Sequence, residues 1–253
     1  MASLAAPTAR TGQTAIGLAL AGAIFAGWAA LHVYGVFFHR LTPTGVAVAP
    51  LMIAVQTWLN VGLFIVAHDC MHGTLAPGRP AVNRWIGRAA LGVYAGFSYD
   101  RLLPKHFEHH KHPGTEHDPD FSAAHPTRFW PWFLQFFRTY FGWREFAVLA
   151  VLLWSYVLLL GAAPVNALLF WGVPAILSSL QLFLFGTWLP HRHADDFSDD
   201  HRARSNDYPA WASLLTCFHF GYHHEHHRAP HLPWWGLPGE RKRAPARPDR
   251  PRA

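Results

Sequence analysis

The sequence predicts an all-α integral membrane protein, with four transmembrane helices carrying a histidine-rich helical cap on the cytoplasmic side. Three observations predict it. Residues 14–38, 46–67, 146–163 and 165–189 contain no Asp, Glu, Lys or Arg. Each run meets or approaches the roughly 20 apolar residues that cross a bilayer as a helix. Charged residues make up only 14% of the 253, against roughly 25% in a soluble domain. Nineteen histidines are present, and all but His32 lie outside the runs.

Taken in order, the first run exceeds the roughly 7–15 apolar residues of a signal sequence, and Arg10 is the one basic residue before it. It reads as a retained span. If the chain starts in the cytoplasm, residues 1–13, 68–145 and 190–253 share that side. They hold 1, 9 and 10 of the 21 Lys and Arg, leaving only Arg40 opposite. This positive-inside bias explains a pI near 9.7 without nucleic acid as a partner. Residues 85–99 are too short to span and contain Arg88, so they read as interfacial or re-entrant. Residues 129–143 carry nine aromatics in fifteen positions, the composition of a helix at the membrane surface. Pro164 and Asn166 mark a tight turn between the third and fourth spans. Cys70 and Cys217 form no CxxC pair and imply no disulfide framework. Residues 1–238 read as one domain, and 239–253 as a basic, disordered tail.

The histidines follow a grammar. His68 and His72 form H-x3-H; His106, His109 and His110 form H-x2-H-H; His223, His226 and His227 repeat it. On a helix, residues three and four apart share a face, so each group converges. Treating 217–230 as one helix, His219 joins His223, His226 and His227, while His224 turns away. All three groups fall on the cytoplasmic side by the charge argument. His191, just past the fourth span, joins them. One zinc-like site takes three or four protein ligands, so this many imidazoles imply two metal ions. Imidazole suits Zn, Cu, Fe and Ni alike. Glu108, Glu116 and Glu225 lie beside the groups. So do Asp69, Asp118 and Asp120, which are the best candidates to accept the ligands' second ring N–H.

These boxes, in this order and topology, resemble the membrane fatty acid desaturase/hydroxylase superfamily, which has four spans under a cytosolic cap with a di-iron centre. Over residues 13–236 the runs LHVYGV, QTWLNVGLFIVAHDCMHG, LAPGRP, PGTEHDPDF, PWFLQFFRTYFGWRE, LQLFLFGTWLPHR and LLTCFHFGYHHEHH are similar to the bacterial β-carotene ketolases. The resemblance implies two Fe2+ ions held by His68, His72, His106, His109, His110, His191, His223, His226 and His227. Asp69, Asp118, Asp120 and His219 support them. Desaturases carry N-x3-H after the last span; here Thr187 stands in place of the Asn, and His191 alone carries over as a ligand. The implied reaction uses O2 to convert the carbon-4 methylene of a β-carotene ring, or of zeaxanthin's 3-hydroxylated ring, to a ketone through two hydroxylations and a dehydration. No Rossmann fingerprint, flavin motif or CxxC iron–sulfur pattern is present, so electrons are expected from a ferredoxin-type donor. The implied location is the bacterial inner membrane, with both termini and the active site cytoplasmic and lipid as the surrounding partner. The competing readings are a carotenoid ring hydroxylase or acyl desaturase, and, from another class, a metal transporter. A transporter expects ionisable groups lining its spans, and only His32 lies within one.

Overall fold

The computed structural model describes residues 7–193, 197 and 199–243, and among them regular structure is entirely helical. Helix α1 (Pro7–Val33) runs into a π turn at Tyr34–Phe38. It is followed by α2 (Pro43–Met71), α3 (Pro80–Ala95), α4 (Tyr99–Lys111), α5 (Phe129–Tyr140) and α6 (Trp143–Leu158). A long helical run with two π turns, α7 (Pro164–His191), comes next. Short helices α8 (Ala210–Cys217), α9 (His223–Arg228) and α10 (Leu237–Arg243) complete the order.

Three helices, Thr11–Phe38, Pro43–Met71 and Pro164–His191, are long and apolar enough to cross a membrane. The expected third span differs. Helix α6 stops at Leu158, and residues 159–163 form a turn in which Gly161 takes φ +71°. Helices α5 and α6 pass the length and hydropathy test only together, with a 76° bend between them, as a broken span or a re-entrant segment. The basic tail differs too. Residues 239–243 are helical, because Leu237 is buried and Arg241 pairs with Glu225 and Asp207. Residues 244–253 lie outside the described residues.

The chain divides into two compact units. The first comprises the described residues up to Tyr99 together with Phe141–Ser179. Here α2 starts on a Thr42 cap, whose Oγ1 accepts from the Gly45 N–H at 3.2 Å, with Pro43 preset for the first turn. The side chains at 49, 52, 56, 60, 63 and 67 are buried and recur at three- and four-residue spacing, which makes one inward stripe. Val36, Ala49, Met52, Phe170 and Trp171 share one apolar core. The Asn166 amide donates to the carbonyls of Gly35 and His39 at 3.1 and 2.8 Å, which closes the end of the α1–α2 hairpin. Gly87 of α3 leaves no room for a side chain: a Cβ there would sit 2.3 Å from the Tyr99 ring and 3.1 Å from the Cys70 Cβ of α2.

The second unit comprises Asp100–Tyr140 and the described residues from Leu180 onward. Its core is aromatic: Phe121, Trp132, Phe133 and Phe183, with Phe129, Phe136 and Trp188 packed around them. One face of α5 builds this core, while Trp130 and Leu134 on the other remain exposed. That is the two-sidedness of a helix at a membrane surface. Both cysteines are free and buried.

Gly87→Val should destabilise the protein by about 1–3 kcal/mol through overpacking, read as a lower Tm in detergent. Gly22→Ala, where an added Cβ meets nothing within 4 Å, should cause no such loss.

Candidate metal centre

Seven of the nine histidines expected as ligands lie in the second unit, and the helices sort them. In α4, His106 and His110 are one turn apart and share a face, while His109 points elsewhere. In α9, His223 and His227 share a face, while His226 diverges. Each H-x2-H-H box thus divides two to one, and the boxes divide in opposite senses. His109, His191, His223 and His227 form one group, fully internal, with one ring nitrogen of each within 4.8 Å of the others. His227 Nε2 lies 3.1 Å from His109 Nε2 and 3.0 Å from His223 Nε2. The second set is His106, His110 and His226, with His226 Nε2 at 3.0 Å from His110 Nε2. In the first unit, His68 and His72 stand one turn apart at the end of α2, with ring centroids 4.9 Å apart.

Hydrogen bonds on the far ring nitrogens show what the near ones offer. His109 Nδ1 lies 3.0 Å from both oxygens of Asp118, and that carboxylate also accepts from the N–H groups of Gly114 and Asp120, each at 2.8 Å. His191 Nδ1 donates to the Arg202 carbonyl at 2.8 Å, and its buried Nε2 has no hydrogen-bond partner. With Nδ1 protonated in both rings, each Nε2 presents a lone pair to the same point. Burial, and then the neighbouring imidazoles, hold His227 well below the ordinary histidine range, so it too stays neutral. Burial opposes protonation of His109, but the Asp118 charge and hydrogen bond outweigh it and shift it upward. Burial likewise opposes ionisation of Asp118, but His109 holds it below the usual carboxylate range. Asp120 is pushed up to about 6, by burial and then by the Asp118 charge.

Neutral imidazole lone pairs converging in a buried space fit a cation. With metal–nitrogen bonds of ~2.0–2.1 Å, adjacent ligand nitrogens lie about 3.0–3.4 Å apart, and the measured separations approach this range. Asp118 and Asp120 with His109 also form a group able to hold an ion. Yet both Asp118 oxygens are already engaged, so its carboxylate orients His109. Asp120 Oδ2 stands 3.8 Å from His109 Nδ1, and the Tyr140 hydroxyl donates to Oδ1. Asp69 Oδ1 stands 3.7 Å from His68 Nδ1.

The expectation for His219 needs correction. Residues 217–230 are not one helix. Phe218 and His219 adopt positive φ of 47° and 62° and reverse the chain between α8 and α9. His219 therefore shares no helical face with His223. It stacks between Tyr222 and Trp234. His224 turns away from the group and lies 2.9 Å from Asp199. Sequence reasoning missed the Arg202 carbonyl, which carries no side-chain signal. It also missed the clamp on Glu225, whose carboxylate accepts from Ser205 and, at 3.0 Å, from Arg241. Burial works against the ionised Glu225, yet these two partners hold it below the usual range. A glutamate inside a histidine box with a basic helix downstream was the available signal.

The fatty acid desaturase family model matches residues 41–148 and 123–251. The chain belongs to the fatty acid desaturase family. It is 51% identical over 234 residues to a protein named beta-carotene ketolase from Paracoccus sp. strain PC1, covering 92% of this chain and 95% of that one. A beta-carotene ketolase from Paracoccus sp. strain N81106 is 49% identical, with 90% and 93% covered. A zeaxanthin 4-ketolase from Chlamydomonas reinhardtii is 40% identical over 88% of this chain and 52% of its own.

Asp118→Asn should weaken metal retention roughly 10–100-fold, measured as bound metal per chain after equilibration with graded chelator. In the same assay His223→Ala should lose metal that His224→Ala keeps. Equal loss from the two histidine variants would mean that His224 also holds the ion.

Proposed function

We propose that this desaturase-family chain is an O2-dependent non-haem di-iron oxygenase that converts the carbon-4 methylene of a β-carotene ring to a ketone. The observation that carries the reading is the near-full-length identity to two proteins named beta-carotene ketolase. In this reading His109, His191, His223 and His227 hold one iron. His106, His110 and His226 contribute to the other, and His68 and His72 complete the nine histidines that the family resemblance implies. When bound, the iron pair would supply the O2 activation needed to hydroxylate the allylic ring methylene.

The chain's own residues do the rest. The Asp118 carboxylate and the Arg202 carbonyl fix which nitrogen of His109 and His191 faces inward. The buried rings keep water from the lone pairs. The substrate is hydrocarbon, so recognition rests on shape and apolar contact, and entry is lateral from lipid. The methylene becomes an alcohol, then a geminal diol at the same carbon, and the diol loses water to leave the ketone. Each hydroxylation consumes one O2, two protons and two electrons and releases one water. The electrons come from a ferredoxin-type donor, attracted by the basic cytoplasmic face. Both units work as one domain over residues 1–238. It has four spans, with α5 and α6 supplying the third, and with the metal site and both termini cytoplasmic in a bacterial inner membrane.

Expression in a bacterium that makes β-carotene tests the reading. Ketone products, separated by chromatography, should appear with a shift of colour towards red, because the ketone extends conjugation. Only hydroxylated carotenoid, or none, would sink it. A parallel zeaxanthin-producing strain reports whether 3-hydroxylated rings are accepted.

A further inference from the structure

Residues 208–222 are fifteen positions without an Asp, Glu, Lys or Arg, inside the otherwise charged stretch that follows α7. They fold as a hairpin. At its neck the Asn206 N–H donates to the Gly221 carbonyl at 2.8 Å, and the Tyr222 hydroxyl donates to the Tyr208 carbonyl at 2.8 Å. Helix α8 forms one arm, and the left-handed turn at Phe218 and His219 forms the tip. Helix α9, with its histidines, begins at the neck. The hairpin packs along α7. The Tyr208 and Phe185 rings have centroids 6.4 Å apart, and a Cβ at Gly186 would meet the Phe220 ring at 2.7 Å. The Gln181 amide donates to the Thr216 carbonyl at 2.6 Å. The neck thus lies beside Phe185, and the end of α8 lies beside Gln181, further along α7 from His191.

Two independent observations say what surrounds the hairpin. Every carbonyl from Ser213 to Cys217 accepts a hydrogen bond from the protein. Those of Ser213, Leu214 and Cys217 accept from the N–H groups of His219, Phe218 and Phe220, and those of Leu215 and Thr216 accept from Gln181 at 3.5 and 2.6 Å. A helix end in water leaves such groups to solvent. Hydrocarbon demands that they be paired, and tolerates non-helical backbone only where protein encloses it. The tip complies, with Phe218 and His219 buried. The apolar side chains do the opposite: Trp211 and Leu215 share a face of α8 and are 68% and 57% exposed, and Tyr208 just before it is exposed as well. Enclosed polar backbone under exposed apolar side chains is the arrangement of a lipid-facing segment. Counted from Pro164, about 20 residues fill the roughly 30 Å of hydrocarbon, so its boundary falls near Phe183 and Gln181 lies within it. Resting on the reading that α7 crosses the bilayer, we infer that this hairpin dips into the leaflet on the His191 side, with Trp211 and Leu215 among the acyl chains. Helix α9 starts where the hairpin leaves the lipid. The hairpin therefore holds the last histidine box at the bilayer surface, where a hydrocarbon substrate reaches it without crossing water.

The full chain in bilayer nanodiscs tests the placement. Cys70 and Cys217 are buried, so an introduced surface cysteine alone takes a nitroxide label. Trp211→Cys and Leu215→Cys report the hairpin, Ile176→Cys the exposed side of α7, and Arg243→Cys the aqueous surface. Labels at 211 and 215 should behave as at 176, relaxed by O2 more than by a water-soluble nickel chelate, and in the opposite sense to 243. Water-like relaxation at 211 and 215 with lipid-like relaxation at 176 would overturn the placement. Labels at 211 and 215 reached by neither reagent would overturn it too, because protein would then cover the face. Water-like relaxation at 176 defeats the membrane reading of α7 instead. Without any label, Trp211→Phe should lower the fraction of tryptophan fluorescence quenched by lipid brominated on its acyl chains, and an unchanged fraction would again count against the hairpin in lipid.

Discussion

Four imidazoles turned towards one point, each presenting a lone pair, are the constraint on which the second unit depends. His109, His191, His223 and His227 come from three helices and lie in a space sealed from water. Such an arrangement is unfavourable without a cation, because buried acceptors then face acceptors. Burial and the neighbouring rings oppose protonation of His227, whereas at His109 the Asp118 charge and hydrogen bond outweigh burial and favour it. The arrangement therefore has to be enforced from outside, and most of the polar structure around the group does this. Asp118 reaches His109 from behind, and its own oxygens are fixed by two backbone N–H groups. Arg202 turns through a positive φ and gives its carbonyl to His191.

The helix carrying the last box shows the same logic. Helix α9 has only six residues, too short to be stable alone. Its position is held by partners on several sides. Glu225 is 1% exposed and is met by Ser205 and by Arg241 from α10. Arg228 pairs with Glu240 of α10 at 2.6 Å. Arg241 also reaches Asp207. A buried ion pair adds little net stability, but loss of one partner leaves an uncompensated charge. It contributes direction here, fixing the rotation of α9 and so deciding which histidines face which way. Rotation is the sensitive coordinate, because one residue of slip turns a helix by about 100° and would exchange the 223/227 pair for its neighbours.

Much of this was legible in the sequence because it follows from helical periodicity. The three boxes, the convergence of His223 with His227 and the exclusion of His224 need only three- and four-residue spacing; the same spacing also placed His226 with that pair and His109 with His106 and His110, and there the groups divide differently. The first two spans and the last need only unbroken apolar length. Periodicity failed where the chain leaves the helix. The argument for His219 assumed a regular helix through residues 217–230, and the left-handed turn at Phe218 and His219 breaks it. Neither residue is glycine, so composition carried no warning. The expected third span is cut short for a related reason, since helix α6 stops at Leu158 and the apolar residues 159–163 turn. The basic tail looked solvated because its charges were counted without the buried Glu225 that Arg241 meets.

The membrane sets a different rule for polar groups in the first unit. An aqueous core tolerates an unpaired amide at moderate cost, because water penetrates; hydrocarbon does not. The α1–α2 hairpin obeys the rule at the Trp28–Asn60 bond and at the Asn166 amide, which satisfies two carbonyls at the loop. It departs from the rule at one level only among these contacts, where His32 and Gln56 stand across the hairpin. A lipid-facing error would be exposed, yet both side chains are enclosed. A packing residue would have served better as Leu or Phe, as Val36 and Met52 do one turn away.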